Sequence, residues 1–190
     1  MSDNTTPKGT DSELNPEVNE KYNFIKSALY DKLYVNKVIF KLIYKASRDG
    51  DSSGEFHSKW YNINNTLIII KTKENNIFGG FTTALLNCTN NYKYDTYSFL
   101  FSLNKNKIYS IKSNFECAIG SWKGSCVSYG ASGCLNNLFL GNRFLSRYDS
   151  YVYNGTMYFD QKAPAFVLNN GMRNFIVKEC EIYQVIPQIE

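Results

Sequence analysis

TLIIIKTKENNIFGGFTT, residues 66–83, decides the fold. Two runs rich in β-branched and aromatic residues, Thr66 to Thr72 and Ile77 to Thr83, flank KENN, whose asparagines tolerate the left-handed backbone of a tight turn. This is a hairpin. Downstream, Tyr97 to Leu103, the turn NKN and Lys107 to Lys112 repeat the pattern, and further strands are expected at Leu138 to Leu140 and Phe175 to Val185. Upstream, Val38 to Ala46 reads as a strand and Ser52 to Trp60 as a short helix capped by Ser52 or Ser53. Before them, Asn15 can cap a helix with Pro16 in its first turn, and Val18, Tyr22, Ile25, Leu29 and Leu33 recur at helical spacing. Asn-Asn pairs at 64/65, 75/76, 90/91, 136/137 and 169/170 punctuate the apolar runs. Consecutive antiparallel hairpins with helices near the N-terminus predict an α+β domain: a two-sheet antiparallel β-sandwich flanked by short helices.

At 190 residues and 43% hydrophobic content, the chain can fill one core but is short for two. We expect a polar, disordered tail over 1–13, an amphipathic helix over 14–36 leading into the domain, and the domain itself over 37–187. Net charge is 21 − 17 = +4 with the basic residues scattered along the chain. Such a chain has no evident nucleic-acid footprint. The N-terminus lacks the apolar core of a signal peptide, and no run of about 18 apolar residues could span a membrane. A cytoplasmic monomer is expected. The five cysteines, Cys88, Cys117, Cys126, Cys134 and Cys180, are odd in number and lack CxxC spacing, so buried free thiols are expected rather than a disulfide framework or a zinc site.

Several motifs resemble chemistry without meeting its requirements. In DGDSSGEF, Asp49, Asp51, Ser53, Gly54 and Phe56 fall on positions 1, 3, 5, 6 and 8 of a calcium loop, but position 12 is Trp60 where a bidentate Glu is needed. In IFGGF the rings of Phe78 and Phe81 are three residues apart, so a regular strand sends them to opposite faces and they cannot form an RNA-stacking pair. Gly79 and Gly80 instead suggest a position where a side chain does not fit. His57 is the only histidine, YGASGC around Ser132 lacks nucleophile-elbow spacing, and GSWKGSC at 120–126 matches no phosphate loop. No cofactor or metal is expected.

Five strings in fixed order, LIYKASRDG (42–50), Phe56-His57, TLIIIKT, IFGGFTT and YSFLFSL (97–103), followed by NFIVKECEIYQV (174–185), closely resemble the TLDc domain of the oxidation-resistance, nuclear-receptor coactivator 7 and TBC1D24-type proteins. The resemblance spans Val38 to Val185 and implies a β-sandwich flanked by short helices; a TLDc-only protein or a truncated one is expected. Its signature positions carry over as Arg48, Asp49, Gly50, Phe56, His57, Gly79, Gly80 and Glu181. It departs at Trp60, where relatives often have cysteine, and it is loose over Cys117 to Gly155. It implies resistance to oxidative stress and association with subunits of the vacuolar proton-pumping ATPase, hence a place at the cytosolic face of endolysosomal membranes through a protein partner.

Arg48, Asp49 and Gly50 stand at the end of a strand, where Gly50 suits a tight turn. In the closing strand, period two puts Glu179 and Glu181 on a face that begins and ends apolar. Either a bulge near Lys178 shifts the phase, or Glu181 is partly buried and needs a partner, or it is a solvated acid on an edge strand. Arg48, or the main chain of the Arg48 to Gly50 turn, is the expected partner. Three functions stay open: a non-catalytic protein-binding domain, an enzyme using a polar site at Arg48, Asp49, His57 and Glu181, and a redox-sensing thiol protein.

Overall fold

The computed structural model describes residues 22–87, 90–131 and 135–188. The expected tail over 1–13 and the helix start at Asn15 and Pro16 lie outside the described residues, as do Val18, Cys88, Ser132 and Cys134. In chain order the helices are α1 (Asn23–Leu33), α2 (Ala46–Asp49) and α3 (Ser53–Trp60). The strands are β1 (Lys37–Lys45), β2 (Thr66–Thr72), β3 (Ile77–Thr82), β4 (Asn91–Lys93), β5 (Phe99–Ser102), β6 (Lys107–Ser110), β7 (Ile119–Ser121), β8 (Val127–Tyr129), β9 (Leu138–Leu140), β10 (Ser150–Val152), β11 (Asn174–Phe175) and β12 (Val177–Gln188). They make two six-stranded antiparallel sheets, in the orders β1-β12-β2-β3-β5-β6 and β11-β10-β9-β8-β7-β4. The fold is the expected α+β sandwich.

Both expected hairpins are present, β2 with β3 and β5 with β6, and they form four of the six strands of the first sheet. Both faces of that sheet are covered. On the inner face Ile68, Ile70, Phe78, Leu100, Cys180 and Ile182 meet Ile119, Val127, Tyr129, Leu138 and Leu140 of the second sheet. On the outer face Leu67, Ile69, Phe81, Phe99, Phe101, Tyr183 and Val185 meet Tyr22, Ile25 and Leu29 from the start and the buried side of α1. Phe78 and Phe81 therefore do face opposite ways. Double coverage explains why TLIIIKT is apolar along its middle instead of alternating.

The glycines between those rings are places where two surfaces touch. A Cβ on Gly79 would overlap the Ile68 carbonyl and approach Phe101 Cζ to 2.9 Å; on Gly80 it would come within 2.6 Å of the Tyr129 ring. In four of the five Asn-Asn pairs one residue has positive φ, at Asn65, Asn75, Asn90 and Asn170. Asn137 of the fifth pair instead donates through Nδ2 to the carbonyls of Tyr153 (3.0 Å) and Gly155 (2.9 Å).

The closing strand differs from its expected form. Phe175 ends β11 in the second sheet, and β12 starts at Val177 in the first, so the chain changes sheets at Ile176. The pairing of β12 with β2 then shifts register between Val177 and Glu179, which puts a bulge at Lys178, the first of the alternatives the sequence leaves open. Past the bulge Cys180 and Ile182 point inward, whereas Tyr183 and Val185 point outward.

Candidate functional site: the β1–α3 corner

The corner begins where β1 runs out. Asp49 Oδ2 accepts the backbone N–H of Lys45 at 2.9 Å, which ends the strand and starts α2. Arg48 then chelates its neighbour, with Nε to Asp49 Oδ1 at 3.0 Å and a terminal nitrogen to Oδ2 at 2.6 Å, and Lys59 stands 3.8 Å away. The Arg48 hydrogen bond, together with the Lys45 amide, holds the Asp49 carboxyl down to about 2. Where a tight turn was expected there is one helical turn, closed by Gly50 at φ +92° with its N–H on the Ala46 carbonyl. Any Cβ at Gly50 would run into the Glu55 carboxylate.

That carboxylate completes a capping box: Ser52 Oγ accepts from Glu55 N, and Glu55 Oε2 accepts from Ser52 N. The helix so started carries the Phe56-His57 pair. Phe56 is fully buried against Tyr44, Trp60 and Phe144. His57 points to the second sheet, with Nε2 2.8 Å from the Ser125 carbonyl and 3.0 Å from that of Trp122. Ser53 Oγ donates to the Lys123 carbonyl (2.8 Å), Ser53 N–H donates to Asn142 Oδ1 (2.8 Å), and Asp51 Oδ2 accepts from Leu145 N–H (3.1 Å). The side chains that occupy calcium-loop positions thus bind the protein's own amides and carbonyls. Among the described residues no three His, Cys, Asp or Glu side chains converge as a metal ion would require.

Glu181 does not pair with Arg48 or with the main chain of the Arg48 to Gly50 turn. Its Oε1 accepts from Lys45 Nζ at 2.8 Å and its Oε2 from the Tyr183 hydroxyl at 2.9 Å. The reason is register: Lys45 lies directly opposite Glu181 in the β1/β12 ladder, whereas Arg48 lies one helical turn further on and is taken by Asp49. Glu181 is 16% exposed and Lys45 38%. The corner's main-chain acceptor is Glu179, whose Oε1 takes the Ser47 N–H at 3.1 Å.

Lys45 and Glu179 were not foreseen, because only the β1/β12 register reveals them. Asp95 was missed as well. It is buried and accepts from Thr82 Oγ1, Thr83 N and Oγ1, and Tyr97 N, which ties the end of β3 to the 94–98 loop. The aspartate-to-i+2 bond to Tyr97 is the Asx-turn signal that could have found it.

A sequence model of the TLDc domain matches residues 18–186. The chain belongs to the TLDc domain family. None of the curated proteins searched matches it. In this TLDc domain Asp49 and Gly50 close the end of β1, Phe56 and His57 carry α3 onto Phe144 and the 122–125 loop, and Gly79 and Gly80 let the layers close. The thiols are placed for packing. Cys126 and Cys180 are buried, and burial pushes both far above the ordinary thiol range, so neither carries appreciable thiolate near neutral pH. Cys117 is free and partly covered. Among the described residues no helix is long and apolar enough to cross a membrane.

Proposed function

We propose that this TLDc domain is a non-catalytic protein-interaction module, linked to resistance to oxidative stress and to regulation of the vacuolar proton-pumping ATPase. What supports this reading is where the polar signature groups spend their hydrogen bonds. Asp49 binds the Lys45 amide and Arg48, His57 binds two carbonyls of the 122–125 loop, and Glu181 binds Lys45 and Tyr183. A general base needs a lone pair aimed at a substrate proton. His57 Nε2, facing two acceptors, must carry its proton, and Nδ1 lies 3.4 Å from Ser121 Oγ. The domain works as a monomer over 37–187 with the 14–36 helix, dispenses with 1–13, and meets its partner at the cytosolic face of endolysosomal membranes.

Co-precipitation of the tagged full chain from cytosol, with mass-spectrometric identification, tests the reading. Proton-pump subunits are expected in the eluate and absent from the untagged control. An eluate without them, or a turnover abolished by His57→Ala, overturns it.

A further inference from the structure

The basic residues look scattered along the chain, but folding gathers five of them at one end of the first sheet. The β2–β3 turn carries Lys73, the β5–β6 turn Lys105 with Lys107 beside it, the segment before β11 Arg173, and the β12 bulge Lys178. All five are exposed. Glu74 is the one exposed acid among them. Of the neighbouring acids, Glu179 is held by the Ser47 and Cys180 amides and Asp160 pairs with Lys112. With Glu179 counted beside Glu74, the end therefore holds 5 − 2 = +3, most of the chain's net charge of +4.

These segments are locked to one another. Thr72 N–H donates to the Asn76 carbonyl (2.9 Å), Ile77 N–H to Asn104 Oδ1 (2.7 Å), Leu103 N–H to the Ile77 carbonyl (2.9 Å) and Lys73 N–H to the Ile176 carbonyl (3.0 Å). The buried pair Asn76 and Asn169 joins the β2–β3 turn to the segment leading to Arg173 through a 3.0 Å bond. In the order β2-β3-β5-β6 the two turns sit two strand spacings apart, about 10 Å. Like charges are thus held close by the fold, at an electrostatic cost that an anionic ligand would offset.

We propose that this turn end is the docking surface for an acidic segment of a protein partner, whose carboxylates meet Lys73 and Lys178 on one side and Lys105 and Lys107 on the other. The inference rests on reading the domain as an interaction module. A protein segment fits better than the other polyanions. Among the described residues the large apolar side chains exposed at this end are Met172 and Tyr148, whose carbonyl accepts from Asn174 Nδ2 at 3.5 Å; these two alone are too little to insert into a bilayer. Of the nearby rings, Tyr109 is buried under Lys107 and Tyr151 lies between Phe139 and Arg173, which leaves the exposed Tyr148 alone where successive bases would need a series of stacking platforms.

The test uses the full chain and a fluorescein-labelled oligoglutamate peptide, with anisotropy read at low and at physiological salt. One variant carries Lys73→Glu, Lys105→Glu and Lys178→Glu; a control of identical net charge carries Lys37→Glu, Lys41→Glu and Lys123→Glu at exposed sites elsewhere. Thermal melts verify that both fold. The turn-end variant is expected to lose at least about tenfold in affinity, the control less than about threefold, and wild-type binding to weaken as salt rises. Equal losses in the two variants would reduce the effect to net charge and sink the proposal. So would turn-end-dependent binding to phosphatidylserine vesicles or single-stranded DNA without binding to oligoglutamate. If the co-precipitated partner is recovered equally by wild type and by the turn-end variant, this inference fails while the interaction-module reading stands. Recovery of no partner, with oligoglutamate binding still turn-end-dependent, removes that reading and leaves the acidic ligand in place.

Discussion

The first sheet runs strands of seven and twelve residues through its middle, β2 and β12, whereas no described strand of the second is longer than three. Both contribute to one interlayer core, yet they are held in different ways. Backbone ladders and two buried faces make the first sheet self-supporting. The second depends on side chains that reach its loops: His57 and Ser53 from α3, Asn142 to Ser53, Asn137 to Tyr153 and Gly155, and Ser150 to the Gly141 amide. A sheet with little ladder of its own is thus positioned from outside, and the Phe56-His57 helix is the main external brace.

Glycine substitutions should expose the contrast most strongly. A methyl at Gly79 meets main chain, the Ile68 carbonyl, inside a ladder that cannot yield; a methyl at Gly120 in the second sheet meets the tip of the partly exposed Trp122 ring, which can swing away. Gly79→Ala is expected to cost about 3 kcal/mol, the upper end for overpacking. Gly120→Ala should stay within about 1 kcal/mol, since alanine also regains strand propensity. Urea melts of the two variants decide it. Equal losses would mean that the sheets are alike in rigidity.

The brace itself comes next. His57→Ala leaves the Trp122 and Ser125 carbonyls without their donor, an expected loss of about 1 to 2 kcal/mol. The distribution matters more than the size. Hydrogen exchange should accelerate at amides of β7 and β8 while β2 and β3 keep their protection. Uniform acceleration over both sheets would break the proposed division.

The same division governs what could be read in advance. TLIIIKT and IFGGFTT are long enough for composition and turn chemistry to identify them, whereas acids at period two on an apolar face allow a bulge at Lys178, a partly buried, partnered Glu181 or a solvated edge acid, and the first two are present. Strands such as Ile119–Ser121 or Val127–Tyr129 contain too few residues for any period to appear. Ser150–Val152 is recognisable only beside its partners, Phe139 and Phe175. At the corner the sequence names Arg48, Asp49, His57 and Glu181 but not their pairing, since Lys45 meets Glu181 only through a register that sequence spacing does not contain. The turn-end charge is the extreme case, assembled from residues spread between Lys73 and Lys178.

Within the first sheet, the Lys45–Glu181 pair measures how much the ladder edge relies on charge. Lys45 is more than a third exposed, so screening limits the coupling to about 1 kcal/mol despite the good geometry. A double-mutant cycle with Lys45→Met and Glu181→Gln should show it, and the cycle of Arg48→Met with Glu181→Gln should be additive within about 0.5 kcal/mol. Coupling in the second cycle but not the first would return the partnership to Arg48.

The smallest expected effect is the acid sensitivity of the corner between β1 and α3. Asp49 has its folded pKa lowered from 3.8 to about 2, so its contribution is fully present above about pH 4 and is lost as pH falls toward 2. The Asp49 carboxylate is only 8% exposed, which would allow about 2 kcal/mol for a shift of this size, but Arg48 and Lys59 are about half exposed and solvent screening cuts the figure to under about 1 kcal/mol. Wild type should therefore exceed Asp49→Asn in stability by a margin that is constant above about pH 4 and narrows between about pH 4 and pH 2. The neutral amide can still accept the Lys45 N–H but cannot hold Arg48 as an ion pair, so the margin isolates the charge. If it does not narrow in acid, Asp49 acts on the corner through its hydrogen bond to Lys45 alone, and the corner is indifferent to pH.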